Sequence, residues 1–69
     1  MSEAGTLGDY LRSLRLKRGL TYAQMAKEVG TSKSYIWEVE NNISSPSLLK
    51  AKAMAVAYRT TLNKMCTFV

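Results

Sequence analysis

The chain has 69 residues, which is enough for one small domain with a limited apolar core. Ten lysine and arginine residues against five acidic ones give a net charge of +5 at pH 7. That balance suits a polyanionic partner, and it equally suits basic side chains that serve only solubility. One cysteine, Cys66, and no histidine exclude an intramolecular disulfide and argue against a protein-ligated metal or a cofactor.

The first predicted helix spans residues 7–18. Thr6 offers a capping hydroxyl, and Asp9 stands three residues later, where it completes a capping box. Gly19 is the residue type that most easily ends such a helix. Three leucines at helical spacing predict one buried stripe, namely Leu7, Leu11 and Leu14.

Two short helices are predicted next, at residues 22–29 and 33–40, with only about three residues between them. Their caps are, in chain order, Thr21 with Gln24, then Gly30, then Ser32. Their predicted buried residues are Met25, Ala26, Val29, Ile36 and Val39. Helices joined so closely must cross steeply, which is the layout of a helix-turn-helix whose second helix enters a DNA major groove.

A fourth helix is predicted after Pro46, with Ser47 as its cap. Its expected apolar stripe consists of Leu48, Ala51, Met54, Ala55 and Tyr58. Thr61 is the expected cap of a short fifth helix that carries Leu62 and Met65. The predicted fold class is therefore all-α, a compact bundle of about five short helices.

Three segments are expected along the chain: a disordered arm at 1–5, the helix-turn-helix domain at 6–66 and a C-terminal tail at 67–69. No run approaches the roughly 20 apolar residues of a membrane span. Residues 1–5 lack the apolar core of a signal peptide. We therefore expect a cytoplasmic protein with no membrane partner.

These residues resemble the phage repressor and Cro-like helix-turn-helix family, also called Xre-like or lambda-repressor-like. The resemblance covers about residues 7–65 and rests on the order and gap-free spacing of short motifs. The motifs are Leu11-Arg-Ser-Leu-Arg15, Arg18-Gly-Leu-Thr21, Met25-Ala26, Ser34-Tyr-Ile36, Glu38-Val-Glu-Asn41, Pro46-Ser-Leu48 and Thr61-Leu62. The resemblance implies a double-stranded DNA operator as the partner, and we expect no small-molecule ligand.

The family pattern implies a role for several positions of this chain. Arg15 and Glu40 correspond to a structural ion pair between helix 1 and the recognition helix. Base edges are expected to contact Lys33, Ser34 and Glu38, since lysine suits guanine O6 and N7 and glutamate suits cytosine N4. The expected phosphate contacts are Tyr22, Asn41, Ser44, Ser45, Ser47 and Lys50.

The chain departs from the family pattern in four places. Tyr22 replaces a common glutamine, and Ala51 replaces a core leucine, so the packing of helix 4 must differ. Asn42 and Arg59 each replace a common glycine, and asparagine tolerates left-handed geometry better than most residues.

Two aromatic residues of helix 3 have open interpretations. Trp37 follows the buried Ile36, which favours a half-buried packing residue over a base contact. Tyr35 either packs under helix 2 or contacts a phosphate. The methionines are interpreted as core residues and not as ligands, namely Met25, Met54 and Met65.

The favoured function is a sequence-specific transcription regulator, a Cro-type repressor that binds a two-fold operator as a homodimer. Its expected dimer interface contains Arg59, Thr60, Leu62, Met65, Phe68 and Val69, although the last two equally suit a fold-back onto their own core. Restriction-controller and antitoxin-type regulators share this pattern.

A protein-interaction module that keeps the fold without binding DNA is the other interpretation. The two are distinguished by whether basic side chains flank helix 3. Lys33 does so, and the question is open for Arg12, Lys17 and Lys27. An enzyme is not expected, because the chain has no histidine, no carboxylate pair at catalytic spacing and no Gly-rich phosphate loop.

Overall fold

The computed structural model describes residues 6–66, which form five α-helices. They are α1 (Leu7–Lys17), α2 (Tyr22–Val29), α3 (Lys33–Glu40), α4 (Leu48–Ala57) and α5 (Leu62–Cys66). This range contains no strand, and none of its helices is long and apolar enough to cross a membrane. The all-α prediction is confirmed. The predicted arm at 1–5 and tail at 67–69, with Phe68 and Val69, lie outside the described residues.

Hydroxyl caps begin the helices at the predicted positions. In each helix the hydroxyl oxygen of the cap residue accepts the backbone N–H of the residue three positions later, at 3.1–3.3 Å. The cap residues are Thr6, Thr21, Ser32, Ser47 and Thr61. At Thr21 the capping box is complete, because the Gln24 side chain accepts the Thr21 N–H at 2.9 Å. These local bonds explain why each helix begins where it does.

Three helices end in the same way, with a left-handed residue two positions beyond the helix. These residues are Gly19 (φ 70°) after α1, Asn42 (φ 62°) after α3 and Arg59 (φ 58°) after α4. In each case the next residue donates its N–H back to the third-last residue of the helix, at 3.2, 2.8 and 2.8 Å respectively. This is the Schellman motif. It ends α1 at Lys17, one residue earlier than predicted.

The core lies where all five helices meet. Its buried apolar residues are Leu11, Met25, Ala26, Val29, Ile36, Val39, Met54, Ala55, Ala57, Tyr58 and Met65. Helix α3 packs against α1 and α2, while α2 also packs against α4, and α5 packs against α4 and α1. Helix α3 is therefore held against two neighbours while one side remains open.

Two parts of the predicted core need correction. Leu48 is 69% exposed, because it is the first residue of α4 and the buried stripe starts one turn later, at the half-buried Ala51. Leu7 and Leu14 are only half-buried, and Leu11 alone of the leucine stripe of α1 is fully buried.

Candidate nucleic-acid interface

Helix α3 separates its residues into a buried and an exposed side. Ile36 and Val39 are 0% and 2% exposed, while Lys33, Ser34 and Trp37 are exposed. Residues three and four positions apart share one side of a helix, so the three exposed residues form one surface. This surface is the part of α3 that a partner can reach.

A groove of about 430 Å³ runs along that surface and is lined by Tyr22, Lys33, Ser34, Trp37 and Glu38. It brings together all three residues predicted to contact base edges, with the predicted phosphate contact Tyr22 beside them. It also contains Trp37, which is 45% exposed. Ile36 and Val39 fill the core, and Trp37, with just over half of its surface covered, both packs partly against the protein and faces the groove.

Glu38 is held by the loop that follows α3. Its Oε1 accepts the Ser44 hydroxyl at 3.0 Å, and its backbone carbonyl accepts the N–H groups of Ile43 and Ser44. The Ser44 hydroxyl, predicted to contact phosphate, thus donates a hydrogen bond to Glu38 in this structure. Its role here is to fix the position of a carboxylate in the groove.

Asn41 closes the C-terminal end of α3. Its Nδ2 donates to the Trp37 carbonyl at 2.8 Å, and its Oδ1 accepts from Nη2 of Arg12 at 3.2 Å. Nη2 of Arg12 also donates to the Glu40 carbonyl at 3.2 Å. Arg12, whose placement the sequence left open, is therefore a basic side chain next to the end of α3, and its side chain is 37% exposed.

The remaining predicted phosphate contacts lie on the loop and the first turn of α4. Ser45 and Ser47 are exposed, and Ser47 caps α4. The Lys50 ammonium lies 5.8 Å from the centroid of the Tyr35 ring, a cation–π distance. Tyr35 is half-buried, and burial together with the charge of Glu38 raises the pKa of its phenol. Tyr35 thus packs against the core with its ring near Lys50 of this turn.

A buried ion pair joins α1 to α3. Nε of Arg15 donates to Oε2 of Glu40 at 2.8 Å, and Nη2 donates to Oε1 at 3.0 Å. The two residues are 6% and 0% exposed. Nη1 of Arg15 donates to the Leu20 carbonyl, and Oε2 of Glu40 also accepts the Tyr58 hydroxyl. The hydrogen bonds to Glu40 raise the pKa of Arg15, as expected for a bidentate arginine–carboxylate pair.

Tyr22 connects this ion pair to the groove. The guanidinium carbon of Arg15 lies 4.2 Å from the centroid of the Tyr22 ring, so the cation stacks on the aromatic face. The same side chain lines the groove. The tyrosine that replaces the common glutamine therefore stacks on Arg15 while it remains within reach of a ligand in the groove.

Gly8 permits the close approach of α1 to the end of α3, and the sequence reasoning missed it. Its N–H donates to Oδ1 of Asn42 at 3.2 Å. A Cβ at Gly8 would lie 2.7 Å from that oxygen and still nearer to the Glu40 carbonyl oxygen. The only signal in the sequence was a glycine within the first turn of a predicted helix, where another residue would favour the helix more.

The predicted dimer residues fall into different environments. Arg59 is exposed, Leu62 is half-buried, and the Thr60 hydroxyl is hydrogen-bonded to the Tyr10 hydroxyl of the same chain at 2.7 Å. Met65 is 3% exposed and belongs to its own core, so we withdraw it from the interface. Among residues 6–66, no group of three potential metal-ligating side chains lies together.

A family model described as a helix-turn-helix domain matches residues 6–65. The immunity repressor protein of Bacillus phage phi105 is 35% identical over 52 residues, which are 75% of this chain and 36% of that relative. The chain thus spans about a third of the length of that curated relative.

Two solved structures are similar. The P22 c2 repressor in complex with synthetic operator 9T superimposes with a TM-score of 0.86 at 22% identity, over 90% of this chain and 94% of that one. The restriction-modification controller protein C.AhdI from Aeromonas hydrophila has a TM-score of 0.79 at 29% identity, over 86% of each chain. At 22% identity, the likeness to the c2 repressor concerns the fold alone.

The fold and the matching family model define a helix-turn-helix protein, in which α2 and α3 form the motif. The chain belongs to the helix-turn-helix domain family. The named relatives are repressors and a restriction-modification controller, and none of them is described as an enzyme.

Proposed function

We propose that the protein is a Cro-type repressor that binds a two-fold double-stranded DNA operator and places α3 in the major groove. The observation that carries this proposal is the groove on α3, where Lys33, Ser34 and Glu38 lie side by side. These are three polar or charged side chains on the open side of a helix whose other side is fixed in the core.

The chemistry of the groove suits base edges. In the proposed complex, Lys33 donates to guanine O6 and N7, and Glu38 accepts from cytosine N4. Ser34 is short, so it contacts a base only when α3 lies deep in the groove. A carboxylate near phosphates is repelled by them, and its presence on the exposed side of a chain of net charge +5 favours sequence recognition over unspecific binding.

Phosphate contacts would hold α3 in register. The proposed phosphate contacts lie around the groove. Tyr22 lines the groove itself, and Arg12 lies next to the C-terminal end of α3. The others lie from the end of α3 to the first turn of α4: Asn41, Ser44, Ser45, Ser47 and Lys50. The Ser44 hydroxyl can contact a phosphate only if it gives up its hydrogen bond to Glu38. We therefore expect Ser44 to contribute less to phosphate binding than Lys50. Free backbone N–H groups at the starts of α2, α3 and α4 add further donors.

A homodimer completes the proposal. A single recognition helix contacts only a few base pairs, and two-fold operators match two-fold proteins with half-sites about 34 Å apart. The proposed interface consists of Arg59, Thr60 and Leu62, together with Phe68 and Val69. Such a protein acts on DNA in the cytoplasm, which is part of the same proposal.

The names of two similar proteins support this proposal. One is an immunity repressor, and another was solved on a synthetic operator. The likeness to a restriction-modification controller favours a second candidate, a controller that regulates a restriction system through the same groove. Both candidates bind DNA through α3 and differ in the gene that they regulate.

The test is a selection of duplexes from a random pool with the purified protein at moderate salt, followed by titration of the enriched site. We expect a two-fold sequence bound at least a thousandfold more tightly than random DNA. The control is the Lys33→Ala, Ser34→Ala, Glu38→Ala triple variant, which changes only residues outside the core.

Weak, salt-sensitive binding without enrichment would overturn the proposal and favour a protein-interaction module. An enriched site that the triple variant binds with unchanged preference would show that Lys33, Ser34 and Glu38 do not read the bases.

A further inference from the structure

Trp37 occupies the groove without a role in the proposed set of contacts. The described residues include six large hydrophobic side chains with high exposure: Leu16, Trp37, Ile43, Leu48, Leu49 and Val56. Of these six, Trp37 is the one that lines the groove on α3. An aromatic side chain held open to solvent beside three polar ones is a candidate for contact with a ligand, because apolar surface left exposed in a groove is removed from water when the groove is filled.

The backbone below Trp37 is fixed. Its carbonyl accepts from Nδ2 of Asn41, whose Oδ1 is in turn held by Arg12. The neighbouring Glu38 is tied to Ser44. Trp37 therefore projects from a well-anchored part of α3, so the backbone that carries it needs little further ordering when it meets a partner.

The position of Trp37 along α3 determines which part of a site it would meet. It lies one turn beyond Lys33 and Ser34, at the i+4 and i+3 positions. One helical turn advances about 5.4 Å, which is roughly one and a half base-pair steps of about 3.4 Å. A helix that runs along the major groove would thus place the indole one or two base pairs from the bases that Lys33 and Ser34 contact.

The major groove offers one apolar group to such a side chain, the C5-methyl of thymine. We infer that Trp37 determines sequence preference by packing its indole against a thymine C5-methyl, one or two base pairs from the position that Lys33 and Ser34 contact. This inference rests on the proposed function and adds to it a defined base at a defined place. It predicts a thymine in each half-site that no hydrogen bond from the protein explains.

The test uses the duplex enriched in the selection described above. Each thymine of one half-site is replaced in turn by deoxyuridine, which removes the methyl group and leaves the hydrogen-bonding edge unchanged. Affinities are measured for the wild-type protein, Trp37→Ala, Trp37→Phe and the control Leu16→Ala. Leu16 is 60% exposed on α1 and does not line the groove, so its change reports loss of apolar surface alone.

We expect one deoxyuridine per half-site to weaken wild-type and Leu16→Ala binding by about fourfold, the value of one buried methyl group. The same replacement should leave Trp37→Ala unaffected, while Trp37→Phe keeps part of the effect. Trp37 is also the only tryptophan of the chain, so its fluorescence should shift on the thymine duplex and shift less on the deoxyuridine duplex.

Two results would overturn the inference alone: an enriched half-site without thymine, or deoxyuridine effects that are equal in the wild-type protein and in Trp37→Ala. In both cases specific binding persists, so the proposed function stands. Failure to enrich any duplex would overturn the proposed function and this inference together.

Discussion

The Tyr58 hydroxyl donates a 2.8 Å hydrogen bond to the same Glu40 oxygen that accepts Nε of Arg15. One carboxylate, 0% exposed, thereby joins side chains from α1, α3 and the end of α4. A buried carboxylate is tolerated only when its oxygens are fully hydrogen-bonded. Arg15 supplies two of these hydrogen bonds and Tyr58 supplies the third. The scaffold behind the recognition surface therefore depends on a tyrosine as well as on the ion pair.

The Tyr58→Phe variant tests this dependence first at neutral pH. Removal of a hydrogen bond to a buried charged group should lower the free energy of unfolding by about 2 kcal/mol. Urea denaturation at pH 7 measures this loss. An unchanged midpoint would mean that Arg15, with Arg12 at 3.8 Å, satisfies Glu40 without the tyrosine.

The same variant makes a prediction about alkaline pH. Burial, and next the charge of Glu40, raise the pKa of Tyr58 above its ordinary value of 10.0. The folded state thus keeps a proton that the unfolded chain releases, so the stabilisation is complete below pH 10 and declines as pH rises above it. The wild-type protein should lose about 1.4 kcal/mol per pH unit more than Tyr58→Phe in that range. Urea denaturation at a series of alkaline pH values measures the difference. If the free energies of unfolding of the two proteins fell in parallel with pH, the prediction would be contradicted.

Gly8→Ala should destabilise the protein, although alanine favours helices. Its Cβ would meet the Glu40 carbonyl and the Asn42 side chain, and backbone on a packed helix cannot move aside easily. We expect a loss of about 2 kcal/mol, within the range for overpacked sites. Ser13→Ala, at an exposed position of the same helix, is the control and should be nearly neutral. Equal stability of both variants would show that α1 shifts freely.

Arg59→Gly should stabilise the protein. Arg59 has φ 58°, a left-handed conformation that costs a residue with a Cβ about 1 kcal/mol and costs glycine little. Arg59→Ala removes the same charge near Glu28 and keeps the strained geometry, so it serves as the matched control. Thermal unfolding should rank glycine above both alanine and arginine. If Arg59→Ala and Arg59→Gly had equal melting temperatures, the loss of charge and not the backbone geometry would explain any change from the wild-type protein.

Lys33→Ala should reduce the salt dependence of operator binding if the ammonium neutralises a phosphate. Loss of one such contact lowers the slope of log K against log salt by about one. Lys27→Ala removes an equal charge from an exposed position of α2 that does not line the groove, and it should leave the slope unchanged. A changed base preference with an unchanged slope would assign Lys33 to a base edge instead.

Glu38→Ala should change base preference more than overall affinity, because its carboxylate discriminates between bases and repels phosphates. Ser44→Ala is the informative companion, since it frees the carboxylate from its 3.0 Å bond. We expect Ser44→Ala to relax preference at the same base position and by a smaller factor. Repeated selection with each variant measures both effects, and an unaltered consensus for Glu38→Ala would remove it from the base-reading set.

Local patterns predicted most of the fold. Helix starts depend on a hydroxyl and an N–H three residues apart, so the sequence alone located the cap of α2 at Thr21 and of α4 at Ser47. The helix-turn-helix layout followed from the short gap between two capped helices. The pairing of Arg15 with Glu40 came from the family pattern, because 25 residues separate them and no local rule connects them.

Features set by distant contacts were not predictable in this way. Gly8 meets Asn42 across 34 positions, and Tyr58 meets Glu40 across 18. In α3 the pattern correctly predicted that Ile36 faces the core, but it did not show that the adjacent Trp37 lines a groove with the predicted base-reading residues. Met65 was predicted both as a core residue and as an interface residue, because an apolar residue of the last helix suits either place, and its burial assigns it to the core.

Both ends of α3 are tied down before any ligand arrives, by the Ser32 cap at one end and by Gly8, Arg12 and Asn42 at the other. The conformational entropy of ordering this helix is thus lost during folding and not on association. Binding should therefore show little change in helix content, and differences in affinity between DNA sequences should arise in dissociation rates. In kinetic terms, the protein would resemble a preformed template more than a segment that folds upon its target.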